Sequence, residues 1–261
     1  AYSNAYTQFE RAWFIMQVAS EHTTKLFNIL SDNILHSLID PQVLESEKKI
    51  IINEFYEKGN ALTRASTIEA LKQYTSGHPI ARDPLGSIED IKNASVENLR
   101  TYYSRYYVPN NCALIVTGNI SPEKARDLAQ QYFGAWAQSE NKFPVLPPVH
   151  FLQGHSIFVE HASETDYMTI CYGIPESASS EDRAALELIL SYLGYGYTSA
   201  LLNELRSKRG LAYSPSAHAR YFKQATVVII NTITKKPDAV LTVIDEIIST
   251  LPEKIDSSWI D

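Results

Sequence analysis

"SNAYTQFERAWFIMQV", residues 3–18, decides how the chain is read. "SNAYTQF" and "RAWFIMQVA" alternate apolar with polar residues or are rich in β-formers, so they read as two strands joined at Glu10. The next stretch is helical. Leu26, Phe27, Leu30, Ile34, Leu35 and Leu38 keep a helical period from Thr24 to Leu38, and Asp40-Pro41 breaks it. Further helices are expected over Gln42–Lys58 and Leu62–Tyr74, before "SGHPIARDPLGS" reads as a loop. Ser95 with Asn98 opens a helix that runs through Tyr107 and ends at Val108-Pro109. "CALIVTG" reads as a buried strand, and Ser121-Pro122 starts a helix reaching Phe133. Strands and helices mixed without strict alternation give an α+β fold class.

Past Ser139 the pattern changes. "SENKFPVLPPVHFLQG", residues 139–154, carries three prolines and little periodicity, which marks a linker. Beyond it, "SIFVEH", "DYMTICYGI", "AYSPSAHAR" and "ATVVIINTI" read as strands. "SEDRAALELILSYL", "SALLNELRSKR" and a segment from Pro237 to Leu251 read as helices. The division expected is one lobe over 1–140, a link over 141–154 and a second lobe over 155–261, with both lobes incomplete.

The 261 residues are 44% hydrophobic and 20% charged, enough to bury real cores. A net charge of −7 argues against nucleic acid, which is gripped by a basic stripe that releases counterions. No run of eighteen apolar residues is present, so no membrane-spanning helix is expected. Cys112 and Cys171 are too few for a disulfide framework and sit in apolar runs, where each reads as a small buried hydrophobe.

"ESEKKIIINEF", residues 45–55, places Glu47 and Glu54 seven residues apart on an expected helix. Seven residues fall about 20° short of two turns and advance about 10.5 Å, so both carboxylates share one face. Leu44, Ile51 and Phe55 share that face. A carboxylate in an apolar stripe needs a counter-ion, hydrogen bonds or a cation. At that separation one of the two can ligate a zinc ion and the other can support it. Solvent exposure, or pairing with Lys48, Lys49 or Lys58, is the alternative on these residues alone.

The order of stretches adds a resemblance that covers nearly the whole chain. "SNAYTQFERAWFIMQV", Glu47 with Glu54, "HPIARDPLGSIEDI", "VENLRTYYSRYYVPNNCALIVTGNI" and "LLNELRSKRGLAY" together resemble the insulinase, pitrilysin and mitochondrial-processing-peptidase family of zinc metallopeptidases, the inverzincins. The resemblance implies two related α/β lobes forming a clamshell, with mixed, mainly antiparallel sheets packed on helices. Glu54 matches the family's downstream zinc ligand, and Glu47 the acidic residue two turns earlier that supports the site. Asn4, Ala5, Tyr6 and Thr7 match the edge strand that pairs with an extended substrate, with Tyr6 bordering a pocket. Arg206 and Tyr213 match an arginine and a tyrosine presented to the substrate carbonyl, where both can donate to an oxyanion. "YLGYGYTS" departs from the small, glycine-rich turn of the family.

None of the seven histidines stands in an H-x-x-E-H motif. The expectation is therefore an internal fragment of a zinc-dependent metalloendopeptidase that hydrolyses peptides in a closed chamber. Such a fragment is inactive alone and holds no tight zinc, although the full-length parent carries zinc. The alternative is a non-catalytic homologue or partner subunit serving assembly or peptide presentation. Expected partners are a peptide substrate and a second copy or paired homologous subunit, without nucleic acid. The compartment stays open between bacterial periplasm or cytoplasm and the mitochondrion.

Overall fold

The computed structural model describes residues 1–57, 61–153, 166–175 and 178–254. The chain divides into two compact units, Ala1–Glu57 with Pro84–Val145, and Lys58–Asp83 with Leu146–Asp261. The expected strand "SIFVEH" lies outside the described residues.

The first unit opens with β1 (Tyr2–Thr7) and β2 (Ala12–Gln17), which pair antiparallel from Tyr2↔Gln17 to Thr7↔Ala12. Gln8 closes the turn: its N–H donates to Arg11 O at 2.8 Å and its side chain accepts from Arg11 Nε at 3.0 Å. Helix α1 (Thr23–Leu35) buries Phe27, whose ring centroid lies 6.3 Å from that of Tyr132. Asp40 then starts α2 (Pro41–Glu57), its carboxylate accepting from Gln42 N at 2.7 Å and Val43 N at 3.1 Å. That carboxylate satisfies backbone donors that otherwise lack partners at a helix start.

Serine caps begin the other helices of this unit. Ser87 accepts from Asp90 N at the head of a short helix, Ser95 from Asn98 N, and Ser121 from Lys124 N. Counting on along the chain, after the helix Ala61–Tyr74 of the second unit (α3), these are α4 (Ile88–Asn93), α5 (Val96–Tyr106) and α6 (Pro122–Phe133). Helix α4 is not anticipated from the sequence, because six residues are too few to display a period. Tyr103 ties α5 to the end of α1 by donating to Ile34 O at 2.5 Å.

One expectation is corrected in this unit. Residues 112–118 are no strand, and Leu114, Ile115 and Val116 are 42%, 67% and 36% exposed. An apolar extended run becomes sheet only where a neighbouring strand supplies backbone partners. No described strand lies beside it. Cys112, at the start of the run, is likewise exposed rather than buried.

In the second unit β3 (Asp166–Ile174), β4 (Ser216–Tyr221) and β5 (Thr226–Thr234) form an antiparallel sheet in the order β3-β5-β4. Both faces of the central strand are covered, which explains the nearly unbroken apolar run "TVVIINTIT". On one face Ile230 joins a core with Leu201, Leu205, Val240, Val243 and Ile244. These come from the helical stretch after α7 (Ser180–Gly194) and from α8 (Pro237–Lys254). On the other face Asn231 accepts from Thr67 of α3 at 3.2 Å and from Thr169 of β3 at 2.8 Å. Tyr74 continues this dock, its hydroxyl accepting from Gly173 N at 2.9 Å and its ring stacking on Phe151 at 5.0 Å. The proline-rich stretch is tied in as well: His78 Nε2 donates to Pro147 O at 2.9 Å, and Gln224 Nε2 to Leu146 O at 2.7 Å.

Candidate functional site

Helix α2 carries Glu47 and Glu54 through one continuous helical stretch, as the spacing predicts. The two environments differ. Glu47 is exposed, whereas Glu54 is half-buried beside the half-buried Ile51 and Phe55. Of the two lysines between them, Lys48 serves another carboxylate. Lys48 pairs with Glu45 at 2.7 Å and also donates to Lys92 O at 3.2 Å, pinning α2 to the end of α4. No three His, Cys, Asp or Glu side chains among the described residues come together as a metal site. A catalytic zinc needs about three protein ligands, so these residues do not fit one by themselves.

Strand β1 points Tyr2, Asn4 and Tyr6 to one face, as period two requires. The three side chains form a chain of bonds: the two phenol oxygens lie 2.9 Å apart, and Asn4 Nδ2 donates to each at 3.0 Å. The bond to Tyr6, and then that from Asn4, lowers the Tyr2 phenol, while the bond to Tyr2 pushes the Tyr6 phenol up. Ala5 and Thr7 face the other way, and all of Asn4–Thr7 is exposed. Among the described residues β2 is the only strand paired with β1, and on the second edge the Ala5 N–H donates to Asn4 Oδ1 at 2.8 Å. The hollow of about 340 Å³ at the hairpin's open end is lined by Tyr2, Gln17 and Val18 and not by Tyr6.

Arg206 and Tyr213 meet in the second unit. The segment expected as an ordinary helix winds as a π-helix over Leu202–Lys208, with Leu205 fully buried and Arg206 outward. Gly210, at φ +57°, reverses the chain, and its N–H bonds back to Arg206 O at 3.1 Å. Leu211 N–H returns to Leu205 O at 2.7 Å. The turn brings the Arg206 guanidinium over the Tyr213 ring at 4.7 Å from its centroid. Tyr213 is 66% exposed, so its phenol is open to a ligand. Glu204 holds the helix surface by ion pairs to Lys208 at 2.6 Å and Arg209 at 3.8 Å, and Arg209 reaches Glu246 of α8 at 3.0 Å.

A feature that the sequence does not announce lies between α7 and β4 in the same unit. A groove of about 610 Å³ is lined by Ala184, Leu188, Leu190 and Ala217, with Glu187, Tyr195 and His218 as its titratable groups. Gly194 ends α7 against β4, next to Ala217 of the groove. A Cβ there would fall 2.2 Å from the Ala217 nitrogen, so only glycine lets α7 end this close to β4. At one end Tyr221 donates to Glu187 at 2.7 Å beneath the Arg183 guanidinium. Burial, and then the Glu187 carboxylate, push the Tyr221 phenol well above its ordinary range. Desolvation, with Arg220 adding to it, holds His218 below the usual imidazole range. The one sequence signal is Gly194 after a helical run, where it reads as a helix end.

Two family descriptions match in tandem. "Insulinase (Peptidase family M16)" covers residues 1–83, and "Peptidase M16 inactive domain" covers residues 93–258. The chain belongs to peptidase family M16. An uncharacterized zinc protease, YmxG, of Bacillus subtilis (strain 168) is 28% identical over 84% of this chain and 53% of its own length. The mitochondrial-processing peptidase subunit beta of Saccharomyces cerevisiae is 28% identical over 64% of this chain and 37% of its own. The chain thus spans about half the length of the first of these relatives and less of the second. Among solved structures, a protease from Helicobacter pylori superposes with TM-score 0.83 at 17% identity, over 99% of this chain and 64% of its own. Pitrilysin gives 0.65 at 21% identity, over 98% and 29%. These likenesses establish the M16 α+β fold with antiparallel sheets packed on helices. No helix among the described residues is long and apolar enough to cross a membrane.

Proposed function

We propose that this chain is part of a zinc-dependent metalloendopeptidase that hydrolyses peptides in a closed chamber. In this reading its own residues bind and orient the substrate. The observation that carries the proposal is the outward-facing pair of Arg206 over Tyr213, 4.7 Å apart, in a chain of the M16 family. A guanidinium and a phenol held together can both donate to a carbonyl oxygen that gains negative charge. Asn4–Thr7 would align an extended peptide along the edge of β1 that faces away from β2, the Ala5 N–H turning from Asn4 Oδ1 to the peptide. Glu54 would be a zinc ligand and Glu47 its support, with the remaining ligands from the motif that this sequence does not contain. Residues 1–140 and 155–261 would belong to two successive lobes joined by 141–154. A peptide would be the substrate, and a second copy or homologous subunit the partner.

A partner-subunit role is favoured by one observation: the larger family match is to a domain described as inactive. The two readings separate in the full-length protein assayed on peptides. Tyr213→Phe lowers kcat by about 10²–10³ with KM little changed, because the donor acts mainly on the developing charge. Glu54→Gln lowers bound zinc together with activity. Unchanged kcat in the first variant, or full zinc and full activity in the second, overturns the residue roles. No peptidase activity in the wild-type protein leaves the partner-subunit role.

A further inference from the structure

We infer that Thr234 is the residue that positions Tyr213. Strand β5 ends at Thr234, which is 4% exposed and lies opposite Asp166 on one edge and Ala212 on the other. Its hydroxyl uses both of its capacities inside the protein. It donates to Leu211 O at 2.7 Å and accepts from Lys236 N at 2.9 Å. One oxygen therefore joins the loop leaving the π-helix, the end of β5 and the start of α8. Immediately beyond, Tyr213 N–H donates to Ile233 O at 3.1 Å. The backbone over 211–213 is thus fastened along the end of β5 while the phenol stays in solvent.

The ring has no comparable restraint. It stacks with Arg206 in the open, and exposed cation–π contacts are weak. Where Tyr213 sits is consequently set by the main chain, which the Thr234 hydroxyl holds from the strand side while the Leu211 and Ala212 N–H groups bond to Leu205 O at 2.7 and 3.3 Å. Packing alone does not call for threonine here, since valine has nearly the same shape. Thr232, two residues earlier on the same strand, makes the contrast: its buried hydroxyl has no partner among the described residues. A threonine in this strand is therefore not enough; the geometry at 234 is what gives the hydroxyl a role. Its importance for catalysis rests on the proposed role of Tyr213, but the placement does not.

Native-state amide exchange on this chain tests the placement. Thr234→Val removes the hydroxyl and leaves Leu211 O and Lys236 N–H without it, so the Ala212 and Tyr213 amides should exchange about tenfold faster. Ile229 and Ile230, in the middle of β5, should keep their protection, and Thr234→Ser should restore the wild-type pattern. Thr234→Ala carries the same expectation should the valine variant fold poorly. Unchanged exchange at Tyr213, or equal acceleration along the whole of β5, overturns the inference. In the full-length peptidase, Thr234→Val should lower kcat with KM little moved and Thr234→Ser should recover it. Local acceleration with unchanged kcat keeps the placement of Tyr213 and overturns its catalytic reading, so the two fail separately.

Discussion

At the scale of single residues, the two cysteines show how neighbours decide chemistry. Cys171 lies within β3, where burial pushes its thiol up to about 11, with Arg220 only partly opposing. Cys112 heads the exposed run 112–118, and although desolvation raises its thiol too, it stays open to solvent. Only the thiolate is nucleophilic, and access limits it further. At pH 8 a disulfide reagent should therefore label Cys112 first, with Cys171 reacting slowly until the pH nears 11 or the protein unfolds. Peptide mapping of the labelled protein checks this, and labelling of Cys171 as fast as Cys112 would contradict the protection of this half-buried thiol. Both residues stand in apolar runs, so their difference is not legible in sequence. Glu47 and Glu54 divide in the same way: helical spacing puts both on one helix, but only packing leaves one exposed and the other half-buried.

Among the elements, those defined by local chemistry are the legible ones. Asp40, Ser95, Ser121 and Ser179 each cap the helix they precede, and Ser179 completes a reciprocal box with Asp182. Strand β3 spans the whole of "DYMTICYGI". Departures arise where an element depends on its neighbours. Residues 112–118 lack a described neighbouring strand, and Leu202–Lys208 winds as a π-helix that apolar periodicity does not reveal. The joint between α7 and β4 depends on Gly194 in a similar way. Gly194→Ala should destabilise the protein by about 1–3 kcal/mol, because the added methyl meets backbone rather than a movable side-chain end. Denaturant unfolding measures the cost, and an unchanged midpoint would mean that the approach is not tight.

Across the whole molecule, the two units are not consecutive in sequence. Lys58–Asp83 packs with Leu146–Asp261, although about sixty residues of the first unit intervene. Helix α3 supplies the dock through Thr67, Tyr74 and the fully buried Leu71. Leu71→Ala should cost about 2–5 kcal/mol, as large-to-small changes in a core do. The loss should appear in the amide protection of β3 and β5, while α1 and α6 keep theirs. Equal loss in α1 and α6 would show that α3 supports the other unit instead.

The sequence by itself determined features that are local or ordered along the chain: hairpin, caps, helix spans, the α+β class and the series of motifs that marks the M16 family. These rest on side-chain period, capping chemistry and motif order, all carried within short windows of residues. Tertiary structure alone decided that α3 crosses to the second unit, that both faces of β5 are covered, and that a groove opens between α7 and β4. It also decided that the Thr234 hydroxyl meets Leu211, because that contact joins positions 23 residues apart. Such pairings depend on which surfaces bury one another and on backbone groups finding partners far along the chain, and neither leaves a periodic trace in the residues involved.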